Sequence, residues 1–316
     1  MTARCFVFDA GPLAAAAVAL SVLAGSASAL AQGAAAAPAS PAPEMSASVD
    51  PGAQKGTAGR AIDRVREAAK TAGDVFSRVP CSTPKSMKFE GSLPRIAKKL
   101  AAGEPVTIVA FGSSSTAGYG ASSSAFSYPN RLADQLRRKY PDADISILNQ
   151  GVGGEDGPQM IARLQKSVID NNPDLVIWQL GTNTVVKGGN IEETAGIIED
   201  GVKRLKETGA DVVLVDPQYA PATMAKEADA NKMVALIKKA GHAAKVGVFP
   251  RFKVMQEWHK DRALPMDQFV ISDGLHMNDW GYACFAQLLG DTIIKTVGQV
   301  KAGVEVPSNV LTFRPM

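Results

Sequence analysis

Between residues 106 and 249 the chain alternates two kinds of segment, and this alternation restricts the available folds more than any other feature. Short, mostly apolar runs recur at VTIVAF (106–111), ISILNQ (145–150), DLVIWQL (174–180), DVVLVD (211–216) and KVGVF (245–249). Their apolar character is continuous rather than every second residue, the pattern of strands covered on both faces. Between them lie stretches of helical length at about 128–139, 157–171, 191–207 and 224–242, with further helices expected near 252–262 and 279–297. Pro141, Pro173 and Gly209 stand where helices should stop. Strand and helix in alternation imply right-handed crossovers and a three-layer α/β/α sandwich around a parallel five-stranded sheet. In such sheets sites form beyond the carboxyl ends of the strands. Polar and glycine residues follow three of the strands at once: Gly112-Ser113-Ser114, then Gln150-Gly151, then Gly181-Thr182-Asn183.

The 316 residues divide by composition. Residues 1–31 have an Ala-rich apolar core followed by small residues that suit a signal peptidase, so a secretory signal is expected there. The apolar run is too short for a membrane-spanning helix. Residues 32–56 are Ala, Pro, Ser and Gly with almost no large apolar side chains, a composition that cannot offset its ordering entropy and reads as a disordered linker. Residues 57–104 form a helical extension, with one helix in AGRAIDRVREAAKTAGDVF (58–76) and another in LPRIAKKLAAG (93–103). One large domain runs over 105–300, and 301–316 is a C-terminal tail. A net charge of +3 with mixed signs argues against a nucleic-acid surface. Cys5 would leave with the signal. Cys81 and Cys284 remain, and either one disulfide or two buried thiols fits the sequence. No Cys/His cluster has metal-ligand spacing, and no cofactor is implied.

Serine is a poor nucleophile until a base takes its proton, and that base is most often histidine. The chain has three histidines. His242 ends a helix, where a cation offsets the dipole. His259 sits in the charged stretch QEWHKDR and is expected to be solvated. His276 lies in the turn-rich SDGLHMNDWG, three residues after Asp273. An Asp at that spacing can hold the imidazole Nδ1–H and aim Nε2 at a nucleophile. A turn-capping Asp beside an exposed His would have the same sequence. Oxyanion donors could come from Gly151-Val152-Gly153-Gly154 or Gly181-Thr182-Asn183.

Taken in order, FGSSSTAG, NQGVGG, GTNT and DGLHMN resemble the blocks of the SGNH hydrolases, also called the GDSL esterase/lipase family, over roughly residues 105–290. The resemblance implies a flavodoxin-like fold. It makes Ser114 the nucleophile, with Asp273 and His276 completing the triad. The N–H groups of Ser114 and Gly154 and the side chain of Asn183 become the oxyanion donors. Two positions depart from the family: Ser113 and Thr184 each stand where the family has Asp. The Gly-x-Ser-x-Gly elbow is absent because Thr116 occupies its last position.

The implied activity is that of an exported serine esterase, periplasmic or secreted, that cleaves O-acetyl esters of a polysaccharide or peptidoglycan through an acyl-enzyme. Lipid ester or thioester hydrolysis, O-acyl transfer and non-catalytic glycan binding on the same fold remain alternatives. The partner is a small-molecule or glycan ester, with no nucleic acid and no stable membrane insertion after signal cleavage. Oligomeric state is not encoded legibly. Tyr119, Gln218, Tyr219 and Trp280 are candidate pocket residues, and Trp178 is expected in the core.

Overall fold

A computed structural model describes residues 81, 84, 87, 89 and 91–301. The expected secretory signal (1–31), linker (32–56), helix 58–76 and nearly all of the tail (301–316) lie outside the described residues. Five parallel strands are ordered β2-β1-β3-β4-β5: β1 Val106–Gly112, β2 Ile145–Gly151, β3 Leu175–Gln179, β4 Asp211–Val215 and β5 Gly247–Phe249. All five expected strands are present. The order turns back between β1 and β3, so their C-terminal ends diverge into a crevice at that point.

The helices are α1 Pro94–Ala102, α2 Ser114–Ala117, α3 Tyr128–Lys139, α4 Gly157–Ser167, α5 Thr182–Lys187, α6 Ile191–Glu207, α7 Pro221–Met224, α8 Glu227–Ala244, α9 Arg251–Lys260 and α10 Asp279–Lys301. The packing of α10 on α1 and α3, and of α6 on α4 and α8, makes the two outer layers. The three-layer sandwich expected from the alternation is the observed architecture.

Every residue of β3 and β4 is buried, which explains their unbroken apolar runs. Trp178 is in the core, as expected, with its ring against Gly201 of α6, where a Cβ would overlap it. Strand β2 differs from the expectation. It forms one edge of the sheet, so Ser146 and Asn149 are exposed and Ile147 and Leu148 are only partly covered. The helix expected over 157–171 breaks at Val168 and continues as a 3₁₀ turn, Ile169–Asn171.

Helix α1 is fastened to the sheet by two aspartates at the starts of strands, Asp211 as the first residue of β4 and Asp174 just ahead of β3. Asp211 accepts the Ile96 N–H at 2.9 Å, serving an orphan donor of the first helical turn. Asp174 takes Arg95 at 2.7 Å, Lys99 at 2.8 Å and the Thr107 N–H at 3.0 Å. Burial by itself would raise the Asp174 pKa, but these partners outweigh it and hold the carboxyl below its ordinary range. Cys81 and Cys284 form a disulfide with Cα atoms 5.5 Å apart, tying the chain ahead of α1 to α10. Of the two states left open by the sequence, the paired one is observed.

Candidate active site

The registers bring the strand ends level. Gly112 pairs with Gly151, Phe111 with both Gln150 and Trp178, and Gln179 with Val215. The loops carrying the candidate residues therefore gather at one end of the sheet. Strand β1 leads directly into α2, whose first residue is Ser114. At that position its N–H has no intrahelical acceptor. Ser113 and Ser115 are 2% and 1% exposed, whereas Ser114 is half-buried. Burial thus separates the three consecutive serines: only the middle one is open to a reactant.

Across from it, the turn after Val270 folds tightly around one carboxylate. Asp273 Oδ1 accepts the N–H groups of Leu275 (2.8 Å) and His276 (3.0 Å), and Oδ2 lies 2.6 Å from His276 Nδ1. These bonds outweigh the effect of burial and keep the Asp273 carboxyl below its ordinary range. The other imidazole nitrogen, Nε2, lies 2.7 Å from Ser114 Oγ. Asp273, His276 and Ser114 therefore form one continuous hydrogen-bonded chain, whose last two members are 162 positions apart in sequence. The Asp-x-x-His pair is more than a cap beside a free histidine, because its imidazole reaches a hydroxyl from a distant loop.

The other two histidines play no part in this chain. His242 is exposed in the last turn of α8. His259 differs from its expected solvated state. It is half-buried, with Nδ1 2.9 Å from the Leu264 carbonyl and its ring 6.1 Å from that of Tyr219. The chain turns back after α9 and covers it.

The glycine-rich loop after β2 is pressed onto the turn that carries Ser114. A Cβ on Gly151 would collide with the backbone of Ala117, so only glycine allows the approach. Val152 N–H bonds the Gly112 carbonyl at 3.0 Å. Arg163 then clamps this loop from below: its guanidinium pairs with Glu155 at 2.6 Å, donates to the Gln150 and Gly112 carbonyls, and lies 4.5 Å from the Phe111 ring centroid. Asn183, on α5, donates from Nδ2 to the Glu155 carbonyl at 2.7 Å, and Lys187 donates to the Gly154 carbonyl at 2.6 Å. Gly154 is exposed, with φ 78° and open space around its α-carbon. One Asn183 amide hydrogen is committed to the loop, leaving the second for another acceptor. Gly154 and Asn183 are thus held together through Glu155.

The two positions that depart from the family are both buried. Ser113 donates from Oγ to Gln179 Oε1 at 3.1 Å, and the same oxygen accepts the Ser113 N–H (3.1 Å) and Thr116 Oγ1 (3.3 Å). Gln179 is 1% exposed, and its Nε2 has no hydrogen-bond partner. A backbone N–H can only donate, so this amide orientation is set by Ser113 itself. Thr184 is 5% exposed and packs within α5.

Several supporting residues were not singled out by sequence reasoning. Gln179 was read as the end of an apolar strand, although a glutamine closing DLVIWQ is itself a polar signal at a strand terminus. Arg251 and Asp216, which follow β5 and β4, obey the same rule. Asp216 accepts the Phe252 N–H at 2.8 Å, and burial pushes its carboxyl up to about 7. Arg251 is fully buried, bonds the Asp216 carbonyl at 3.0 Å and lies 3.5 Å from Thr182 Oγ1. Burial draws its guanidinium down to about 10.

Of the four candidate pocket residues, Gln218 and Tyr219 are buried, and Trp280 packs on Trp258 and Phe269. Gln218 nevertheless matters to the site. Its Nε2 donates to Ser115 Oγ (3.3 Å) and to the Leu275 carbonyl (3.2 Å), while Oε1 accepts from Thr182 (3.0 Å). One carboxamide joins the neighbour of Ser114 to the neighbour of His276. Tyr119 is the exposed member of the four.

A groove of about 1160 Å³ between α6 and α8, lined by Val202, Leu236 and several Lys and Glu residues, contains none of these groups. Among the described residues, no group of three or more His, Cys, Asp or Glu side chains is placed to hold a metal ion.

Residues 80–299 match the model of the non-GDSL lipase-like family. An arylesterase of Vibrio mimicus is 22% identical over 169 residues, covering 54% of this chain and 79% of that protein. The thioesterase 1/protease 1/lysophospholipase L1 of Escherichia coli K12 is 26% identical over 172 residues, covering 54% and 76%. Among solved structures, a two-domain esterase active on acetylated mannans superposes with TM-score 0.56 at 22% identity; the match covers 73% of this chain but only 58% of that one. An acetyl xylan esterase gives TM-score 0.52 at 19% identity, covering 59% and 99%. With more than half its length matched and its motif blocks assembled at one sheet end, the chain belongs to the non-GDSL lipase-like family of SGNH hydrolases.

Proposed function

We propose that this SGNH-type ester hydrolase is exported and removes acetyl groups from a polysaccharide or peptidoglycan through an acyl-enzyme on Ser114. The observation that carries the reading is the hydrogen-bonded chain from Asp273 through His276 to Ser114. In the proposed first step, His276 Nε2 takes the hydroxyl proton as Ser114 Oγ bonds to the ester carbonyl carbon. The charge moves to the carbonyl oxygen, where the Ser114 and Gly154 N–H groups and the second Asn183 amide hydrogen would receive it. Collapse breaks the bond to the alcohol, and His276 returns the proton to that oxygen. Water then repeats the sequence on the acyl-enzyme and releases acetate. Asp273, kept ionised by its bonds, stabilises the imidazolium in both halves.

Export rests on the sequence of residues 1–31 and is supported by the Cys81–Cys284 disulfide, a bond that persists in oxidising compartments. No helix among the described residues is long and apolar enough to cross a membrane. Acetylated glycans are the first substrates to test, since two of the fold neighbours act on acetylated mannan or xylan. Thioester and lipid ester hydrolysis is the second reading, favoured by the 26% identical thioesterase/lysophospholipase.

The test is labelling with a fluorophosphonate probe, mapped by mass spectrometry, beside acetate release from an acetylated glycan. A single adduct on Ser114, lost in His276→Ala, with acetate released faster than long-chain acids, is expected. An unlabelled Ser114 would refute the mechanism, and preferential release of long acyl chains would favour the second reading.

A further inference from the structure

Only two large hydrophobic side chains are exposed among the described residues, Tyr119 at 60% and Val152 at 43%. Both lie on the loops that hold the reacting groups: Tyr119 five residues after Ser114, and Val152 two residues before Gly154. Scattered surface apolar residues need no explanation, but two confined to the rim of one site do.

Tyr119 is presented rigidly. Its N–H bonds the Ser114 carbonyl at 2.9 Å, and its own carbonyl accepts the buried Tyr282 hydroxyl at 2.6 Å. It is flanked by Gly118 (φ 95°) and Gly120 (φ 93°), backbone conformations that other residues rarely adopt. A Cβ at Gly120 would collide with the Met277 carbonyl, so the loop lies directly on the histidine turn. Ser122 fastens its far end to both carboxylate oxygens of Asp279 at 2.8 and 2.6 Å. The Tyr119 ring sits 4.5 Å from the His276 imidazole, inclined at 57°, and no hydrogen bond of its own hydroxyl accounts for the placement.

His276 is the group that hands a proton to the departing alcohol, so a ring beside it faces the alcohol half of the ester. We infer that Tyr119 is a leaving-group subsite that stacks on the apolar C–H face of a pyranose ring, making it a specificity-determining residue for sugar esters. This rests on the esterase reading above. A pyranose offers a flat array of weakly positive C–H groups, which the negative face of an aromatic ring attracts. A rigid ring loses little freedom on binding, so the contact is not offset by ordering cost.

Two measurements test it. The first compares kcat/KM on an O-acetylated tetrasaccharide with kcat/KM on ethyl acetate, for the native enzyme, Tyr119→Ala and Tyr119→Phe. The ratio should fall about tenfold in Tyr119→Ala and stay within about twofold in Tyr119→Phe. A ratio that does not move, because both rates fall together, overturns the subsite and leaves Tyr119 as a support for His276. A native enzyme that hydrolyses ethyl acetate without preferring the sugar ester overturns it too, while the esterase reading stands. The second measures calorimetric binding of the same acetylated tetrasaccharide to Ser114→Ala and to Ser114→Ala/Tyr119→Ala. It needs no turnover, so it reads the subsite even if the mechanism is wrong. Binding weakened about tenfold by the second substitution supports the subsite, and equal binding overturns it.

Discussion

Breaking the Cys81–Cys284 bond should cost the folded protein about 5 kcal/mol at 25 °C. The two residues are 203 apart in sequence, so the cross-link closes nearly the whole described chain into one loop. In the chain-entropy treatment a loop of that length removes about 18 cal/mol/K from the unfolded ensemble, which at 298 K gives about 5 kcal/mol. Cys284 is fully buried in α10, so the native geometry is held by packing and should survive the loss of the bond. The effect therefore falls on the unfolded state. Guanidinium unfolding followed by fluorescence of the buried Trp178 and Trp258 would measure it, comparing oxidised protein, reduced protein and Cys81→Ala. The midpoint should fall and the denaturant slope should rise, because a released chain exposes more surface. A loss below about 1 kcal/mol with an unchanged slope, in both reduced protein and Cys81→Ala, would refute the reasoning. So would two titratable thiols in native, unreduced protein.

Three further outcomes follow from the site. Asp273→Asn should lower kcat roughly 10³–10⁴-fold on a small acetate ester with little change in KM, since an amide cannot stabilise the imidazolium; a loss below tenfold would remove Asp273 from the mechanism. Gln218→Leu leaves the Leu275 carbonyl and the Thr182 hydroxyl without their partner, so stability should fall by about 1–3 kcal/mol and kcat by about 10–100-fold. Urea unfolding beside steady-state kinetics reads both, and an unchanged kcat would make Gln218 purely structural. Ser113→Asp, which restores the family's residue, would set a carboxylate against Gln179 Oε1 in a buried position and should cost on the order of 3 kcal/mol. Unaltered thermal stability in that variant would mean that Gln179 turns its amide to suit.

The architecture was legible because it depends on local pattern. Runs such as VTIVAF and DVVLVD are buried on both faces, and amphipathic stretches between them can close only as crossovers onto a parallel sheet. Burial departed from the expectation where tertiary position overrode local pattern, as at β2, which the strand order leaves on the sheet edge. Short helices such as α2 and α5 carry no periodic signal, since four or six residues are too few to show one. His259 was misjudged because its covering segment, residues 261–264, returns over the helix in a way no local pattern records.

The sequence by itself determined the parallel sheet and offered His276 and Asp273 as a candidate pair, because both depend on residue type and near spacing. The resemblance of its motif blocks to those of the SGNH hydrolases also made Ser114 the candidate nucleophile. Tertiary structure alone decided that Ser114 is the accessible serine of three, that His276 reaches it across 162 residues, and that Cys81 and Cys284 pair. It alone placed Gln179 and Gln218 beneath the reacting groups and Tyr119 above them. These are distances between segments far apart in the chain. They follow from how strand ends align in the sheet and how loops pack upon one another, and a one-dimensional string carries no direct record of either.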